Sequence, residues 1–145
     1  MVKKHLGLDL GTKTLGIAIS DKTGNFATPL TTLRFSSENY NELIEPLKEI
    51  IDNNNINLIV LGIPKNMDGS LGFAAQRSQY FKKLLADNID IPVELYDERL
   101  TSVMAHNILS NNGKKAKNHK KDVDTLAAVI ILEDYLKKVK KWKII

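Results

Sequence analysis

Three acidic positions in this chain stand where a carboxylate could do chemistry. In HLGLDLGTKTLGIAISD, residues 5–21, Asp9 interrupts two stretches that otherwise read as a buried β-hairpin. Alternation puts Leu6, Leu8 and Leu10 on one face of the first strand and Gly7, Asp9 and Gly11 on the other. Across the turn, Leu15, Ile17 and Ile19 oppose Gly16, Ala18 and Ser20. One side is bulky and apolar; the other is bare except for a carboxylate, so a helix or a polymer backbone can approach it closely. A solvated acid on an exposed antiparallel face fits this stretch equally well. The second position is Asp97-Glu98-Arg99, directly after an expected strand. The third is Asp122 and Asp124, just ahead of the apolar run LAAVIIL. Asp122 reads as a routine helix-start acid. Asp124 shares a helix face with Ala127, Ala128 and Ile131, and an acid facing packed surface needs a partner. Cysteine is absent, which excludes thiol catalysis, disulfides and thiolate metal sites. Carboxylate oxygens are hard ligands suited to Mg²⁺ or Mn²⁺.

Charge points the same way. The net charge of +4 conceals two basic strips, 114–121 (KKAKNHKK) and 137–143 (KKVKKWK), each with five lysines and no acid. The other 11 basic residues face 17 acidic ones. An acidic body with concentrated basic strips suits a polyanion partner and has room for cations. The C-terminal strip is better explained by lysines complementing the end of a helix, with Trp142 packing back on the core.

These residues need a frame to hold them. At 145 residues, 43% hydrophobic and 26% charged, the chain reads as a single soluble domain over 1–145 with an ordinary core. No signal peptide or membrane span is visible, so the expectation is cytoplasmic with no membrane partner. Strands are expected over 5–10, 15–20, 27–34, 57–63 and 92–96, and helices over 41–53, 74–86, 101 to about 109, and 122–139. The stretch 111–121 lacks apolar periodicity and reads as a mobile loop. The order β-β-β-α-β-α-β-α-α predicts an α/β fold. Its mixed five-stranded sheet is an antiparallel meander followed by parallel strands, flanked by helices. Asp97 to Arg99 then emerge at a strand's C-terminal end, where ligands of open α/β sheets collect.

LDLGTKTLGIAISD, VLGIPKNMDGS, YDERLTS and DVDTLAAVIILE together resemble the YqgF family of bacterial RNase H-like proteins. Its members are known as pre-16S rRNA nucleases and as Holliday-junction-resolvase-like proteins. The resemblance runs from residue 6 to about residue 136. It implies an RNase H-like fold and a catalytic, metal-binding triad of Asp9 (DLGT), Glu98 (DERLTS) and Asp124 (VDTLAA). The chemistry agrees, because two ions about 3.5–4 Å apart can both activate a water and stabilise the departing oxygen of a phosphodiester. On this reading the bare face around Asp9, with Gly7, Gly11, Gly16 and Ala18, leaves room for ions and phosphate.

The implied function is a Mg²⁺- or Mn²⁺-dependent nuclease that trims the 5′ end of pre-16S rRNA during ribosome biogenesis, with ribosomal precursor particles as partners. Within the nuclease class, the runner-up is a resolvase acting on branched DNA. Outside it stand a non-catalytic RNA-binding or transcription factor and an ATP-binding protein of the actin and sugar-kinase superfamily. The second of these is disfavoured because 145 residues supply one of its two domains. Candidate phosphate contacts are Lys13, Lys65, Asn66, Arg99 and the loop lysines Lys114, Lys115, Lys117, Lys120 and Lys121. Lys13 and Lys65 read equally as solvated loop residues, and Arg99 as a partner of Asp97.

Overall fold

A computed structural model of the chain describes residues 4–98 and 119–144, and within the second stretch the side chains of 125–139. Alternating β-branched and leucine-rich segments form strands β1 (Lys4–Leu10), β2 (Thr14–Ser20), β3 (Ala27–Arg34), β4 (Ile56–Ile63) and β5 (Val93–Asp97). They make one sheet in the order β3-β2-β1-β4-β5. The β1–β2 and β2–β3 pairs are antiparallel, and β1–β4 and β4–β5 are parallel. Four strands therefore run one way and β2 runs against them. The expected meander followed by parallel strands is what forms.

Helices α1 (Ile44–Asn54) and α2 (Phe73–Asn88) pack on one face, and α3 (His119–Ile144) packs on the other. The expected helix over 41–53 begins instead as a 3₁₀ turn, Tyr40–Leu43, with the α-helix starting at Ile44. Pro46 explains the offset: it has no N–H to donate to Glu42, so it is tolerated only in the first α-helical turn. Helix α3 starts at His119, so Lys120 and Lys121 belong to a helix rather than to a loop. Apolar periodicity cannot detect such a lysine-rich first turn, although lysine is a good helix former. The expected helix from residue 101 lies outside the described residues.

The first face is a conventional core. Leu6, Leu8, Leu15, Ile17, Ile59 and Leu61 are fully buried against Leu43, Leu47, Phe81 and Leu85. The second face is built differently. Val60, Ala18 and Tyr96 meet Ala128, Ile131, Leu132 and Leu136 of α3. A Cβ added at Gly7 would stand 2.7 Å from both the Ala128 carbonyl oxygen and Leu132 Cβ, so the helix backbone rests almost on β1. This corrects the expectation that the bare face is open to ions and phosphate along its length. At Gly7 and Ala18 it belongs to α3, and only the end beyond them is left for chemistry.

Polar contacts pin α3 in place. Glu133 accepts from the Ala27 N–H at 3.3 Å, the Tyr96 hydroxyl donates to Asp134, and the Tyr135 hydroxyl donates to Glu94 at 2.6 Å. Lys138, in the C-terminal basic strip, donates to the Tyr96 hydroxyl at 2.6 Å, which gives that lysine a structural role.

Candidate active site

Asp9 stands one residue from the C-terminal end of β1, on the α3 face. It pairs with Gly16 of β2, which pairs in turn with Thr32 of β3. On the other side, Leu8 is level with Leu61, so Gly62 follows beside Asp9. Glycines on both sides keep the space around this carboxylate free of side chains. Glu98 comes directly after β5 and folds back over that space. A Cβ at Gly62 would lie 2.8 Å from Glu98 Cδ, 2.9 Å from its Cγ and 2.6 Å from Ile131 Cδ1. Only glycine leaves the slot through which Glu98 reaches Asp9.

The two acids meet. Burial, the Asp9 charge, a hydrogen bond to Asp9 and the charge of Asp97 together push the Glu98 carboxyl up to about 9. Glu98 therefore keeps its proton at neutral pH and shares it with Asp9. Two carboxyl groups forced together in a partly desolvated slot cannot both ionise without a cation. A divalent ion reverses that balance, because its charge favours the doubly ionised pair. The donor set fits a hard cation: up to four carboxylate oxygens, no sulfur, and a slot kept open by Gly62. Among the described residues no group of three metal-ligating side chains forms.

Asp124, the third expected acid, has its side chain outside the described set. Its backbone position is fixed by its neighbour. Thr125 Oγ1 lies 2.8 Å from Thr32 Oγ1, in the register row that contains Gly16 and Asp9. Asp124 also precedes Ala128 by one turn and Ile131 by two, and both face the sheet.

Lys13 is exposed in the β1–β2 turn, and its carbonyl accepts from the Phe35 N–H at 2.9 Å. Lys65 and Asn66 follow the C-terminal end of β4. All three belong to the edge that carries Asp9 and Glu98. The Asn66 amide donates to Ser70 Oγ at 3.0 Å, which closes its own loop. Arg99, Lys114, Lys115 and Lys117 lie outside the described residues, as do the side chains of Lys120 and Lys121.

Sequence reasoning passed over Gly62, whose signal was its place between two apolar residues of the expected buried strand. It also passed over a pocket on the opposite face, lined by Glu38, Tyr40, Phe73, Gln76, Arg77 and Tyr80.

Comparison with known proteins places the chain. The family model RuvX, described as Holliday junction resolvase, matches residues 3–138. A protein of Geobacillus sp. (strain WCH70) named "Putative pre-16S rRNA nuclease" is 44% identical over 131 residues, covering 90% of this chain and 95% of its own. One of the same name from Aster yellows witches'-broom phytoplasma (strain AYWB) is 46% identical over 136 residues, covering 93% and 89%. Among solved structures, Thermus thermophilus RuvC superposes with a TM-score of 0.56 at 14% identity, covering 95% of this chain and 96% of that one. That likeness establishes the RNase H-like fold.

Proposed function

This chain belongs to the RuvX (YqgF) family and is a nuclease, and we propose that it cuts precursor 16S rRNA with Asp9, Glu98 and Asp124 holding Mg²⁺ or Mn²⁺. The observation that carries the reading is the Asp9–Glu98 pair: two acids pressed together in a slot that a glycine keeps open. A non-catalytic RNA-binding factor has no use for such a costly arrangement.

A bound pair of ions would supply an activated water and neutralise charge on the leaving oxygen. The chain's own residues do the positioning. Asp9 lies on a strand paired on both sides, which sets its place in the sheet. Asp9 and Glu98 would both hold the cation, and Glu98, which shares a proton with Asp9 in the metal-free chain, would have to release it to do so. Asp124 is delivered by the first turns of α3, which the Thr125–Thr32 contact holds over the same row. Lys13, Lys65, Arg99 and the lysines of 114–121 then contact phosphates, which position the backbone without reading sequence. Ribosomal precursor particles in the bacterial cytoplasm are the setting this substrate implies.

The family description also supports a second reading, a Holliday junction resolvase. Symmetric cutting of a two-fold junction requires a dimer. One experiment separates them: purified protein with Mg²⁺ or Mn²⁺ is offered a pre-16S 5′-leader RNA and a four-way DNA junction. The proposal expects cleavage of the leader by a monomer and no paired nicks in the junction. Symmetric junction nicking by a dimer, with the RNA intact, would transfer the assignment to the second reading.

A further inference from the structure

The pocket on the α1/α2 face has a volume of about 550 Å³ and the chemistry of a base-binding site. Phe73, Gln76, Arg77 and Tyr80 occupy positions i, i+3, i+4 and i+7 of α2, so they form one stripe. The inward stripe of the same helix, Ala75, Ser78, Phe81 and Leu85, is buried and already fills the core. Of the outer aromatics, Phe73 is 82% exposed and Tyr80 57%, so much of both rings is left open to a ligand.

The floor of the pocket carries a second, independent feature. Tyr40 is 5% exposed, with ring centroids 5.5 Å from Phe35 and 5.9 Å from both Tyr80 and Phe81. Its hydroxyl is buried with no hydrogen-bond partner among the described residues. Leaving a buried hydroxyl unpaired is costly. At the rim Glu38 holds φ 60, a left-handed conformation that a non-glycine residue adopts at some expense. The turn is held there by the Ser36 N–H and the Asn39 amide, both donating to the Glu42 carboxylate at 3.0 Å.

Placement decides the ligand. β1, β3, β4 and β5 all run in one direction, so their C-terminal ends share an edge. Asp9 and Glu98 lie at that edge on the α3 side. Glu38 and Tyr40 follow the end of β3, and Phe73 begins the helix after the end of β4. The pocket and the carboxylates therefore share one edge of the sheet, on opposite faces.

We infer that the pocket between α2 and residues 38–40 receives an unpaired base of the substrate strand, stacked on Phe73 and Tyr80, with Arg77 on the adjoining phosphate. Exposed aromatic rings and a guanidinium are how single-stranded nucleic acids are held, since every base has a π-face. Glu38 and Gln76 offer hydrogen-bond partners for the base edge, and Tyr40, whose buried hydroxyl has no partner among the described residues, lines the pocket beneath it. This subsite rests on the nuclease reading and adds where the strand goes after the scissile bond.

The test uses the full chain carrying Asp9→Asn, so that RNA is bound without being cut. Affinity for a 12-nucleotide single-stranded RNA is measured by fluorescence anisotropy, with an abasic site walked along the strand. Adding Phe73→Ala or Arg77→Gln should weaken binding about tenfold. One abasic position should reproduce the Phe73→Ala loss and add nothing to it in that variant. Phe73 is exposed enough that its removal should leave the circular dichroism spectrum and melting temperature unchanged. If the Asp9→Asn protein binds no RNA at all, the substrate reading falls and the subsite with it. If it binds RNA but Phe73→Ala changes nothing, the subsite alone is overturned and the aromatic stripe is left to a protein partner.

Discussion

The two faces of the sheet solve the same packing problem in opposite ways. Against α1 and α2, the strands present leucine and isoleucine side chains that interdigitate with Leu47, Phe81 and Leu85. Against α3 they present Gly7 and Ala18, and the helix closes the gap with its own backbone. The first face gains stability from side-chain volume. The second gains proximity, and proximity lets residues near the start of a helix reach the same edge as acids on strands. The site is thus made by what β1, β2 and β4 leave out: Gly7 admits the helix, while Gly16 and Gly62 flank Asp9.

The most severe way to break this contrast is Asp9→Asn. The shape is kept and the charge lost, so cleavage should fall on the order of a thousandfold or more, because ligands of one metal site act as a unit. The melting temperature of the metal-free protein should hold or rise, since a charge is removed from a largely desolvated slot while an amide can still bond to Glu98. Substantial activity in this variant would remove Asp9 from the chemistry.

Adjacent residues test the two faces directly. Leu8→Ala opens a cavity in the side-chain core and should cost about 2–5 kcal/mol in denaturant melts. Metal affinity of the folded protein should be unchanged. Gly7→Ala adds a methyl where only 2.7 Å is free, so α3 must shift, at about 1–3 kcal/mol. That smaller stability loss should come with weaker Mn²⁺ binding, because Asp124 is carried by α3. Equal metal affinity in both variants would separate the helix from the site.

Much of this was legible in residue patterns, for reasons the two faces make plain. Alternation over 5–20 and the continuous apolar run over 57–63 located β1, β2 and β4 to within a residue at each end, because these strands lie against the core. The bare side of residues 5–21 flagged Asp9, and the expected strand end flagged Glu98. What the pattern lacked was direction: glycines admit a helix as readily as a substrate, and only the Ala128 and Leu132 contacts decide which. Gly62 was invisible because a glycine inside NLIVLGI looks like one more small core residue. Phe73 and Tyr80 were missed because Phe73 falls one residue before the helix expected over 74–86, and exposure is not written in the sequence.

The Glu98 carboxyl gives a subtler test of the second face. Its folded value of about 9 lies above its ordinary value of 4.5. The folded protein thus holds a proton that the unfolded chain has released. This contribution is fully present below about pH 4.5 and is lost as pH rises towards about 9. Melting temperature of the metal-free protein should decline across that window, and Glu98→Gln should flatten the decline. Mg²⁺ should flatten it too, stabilising more at higher pH, because binding displaces the proton. A slope unaffected by Glu98→Gln would mean that another group sets it.

The smallest expected effect concerns Thr32, the β3 residue whose hydroxyl meets Thr125 at 2.8 Å. Thr32→Val preserves shape and removes one hydrogen bond, which should cost about 1 kcal/mol of stability. On the side-chain face a change of that size would pass unnoticed in activity. Here the contact fixes the turn of α3 next to Asp124, and a carboxylate displaced by a fraction of an ångström holds a cation less well. Thr32→Val should therefore raise the Mn²⁺ concentration needed for half-maximal cleavage while leaving the rate at saturating Mn²⁺ close to normal. Thr32→Ser, which restores the hydroxyl, should recover most of that shift. If Thr32→Val lowers stability without moving the metal dependence, the bond fastens the helix but does not aim it, and Asp124 must be positioned from another part of the chain.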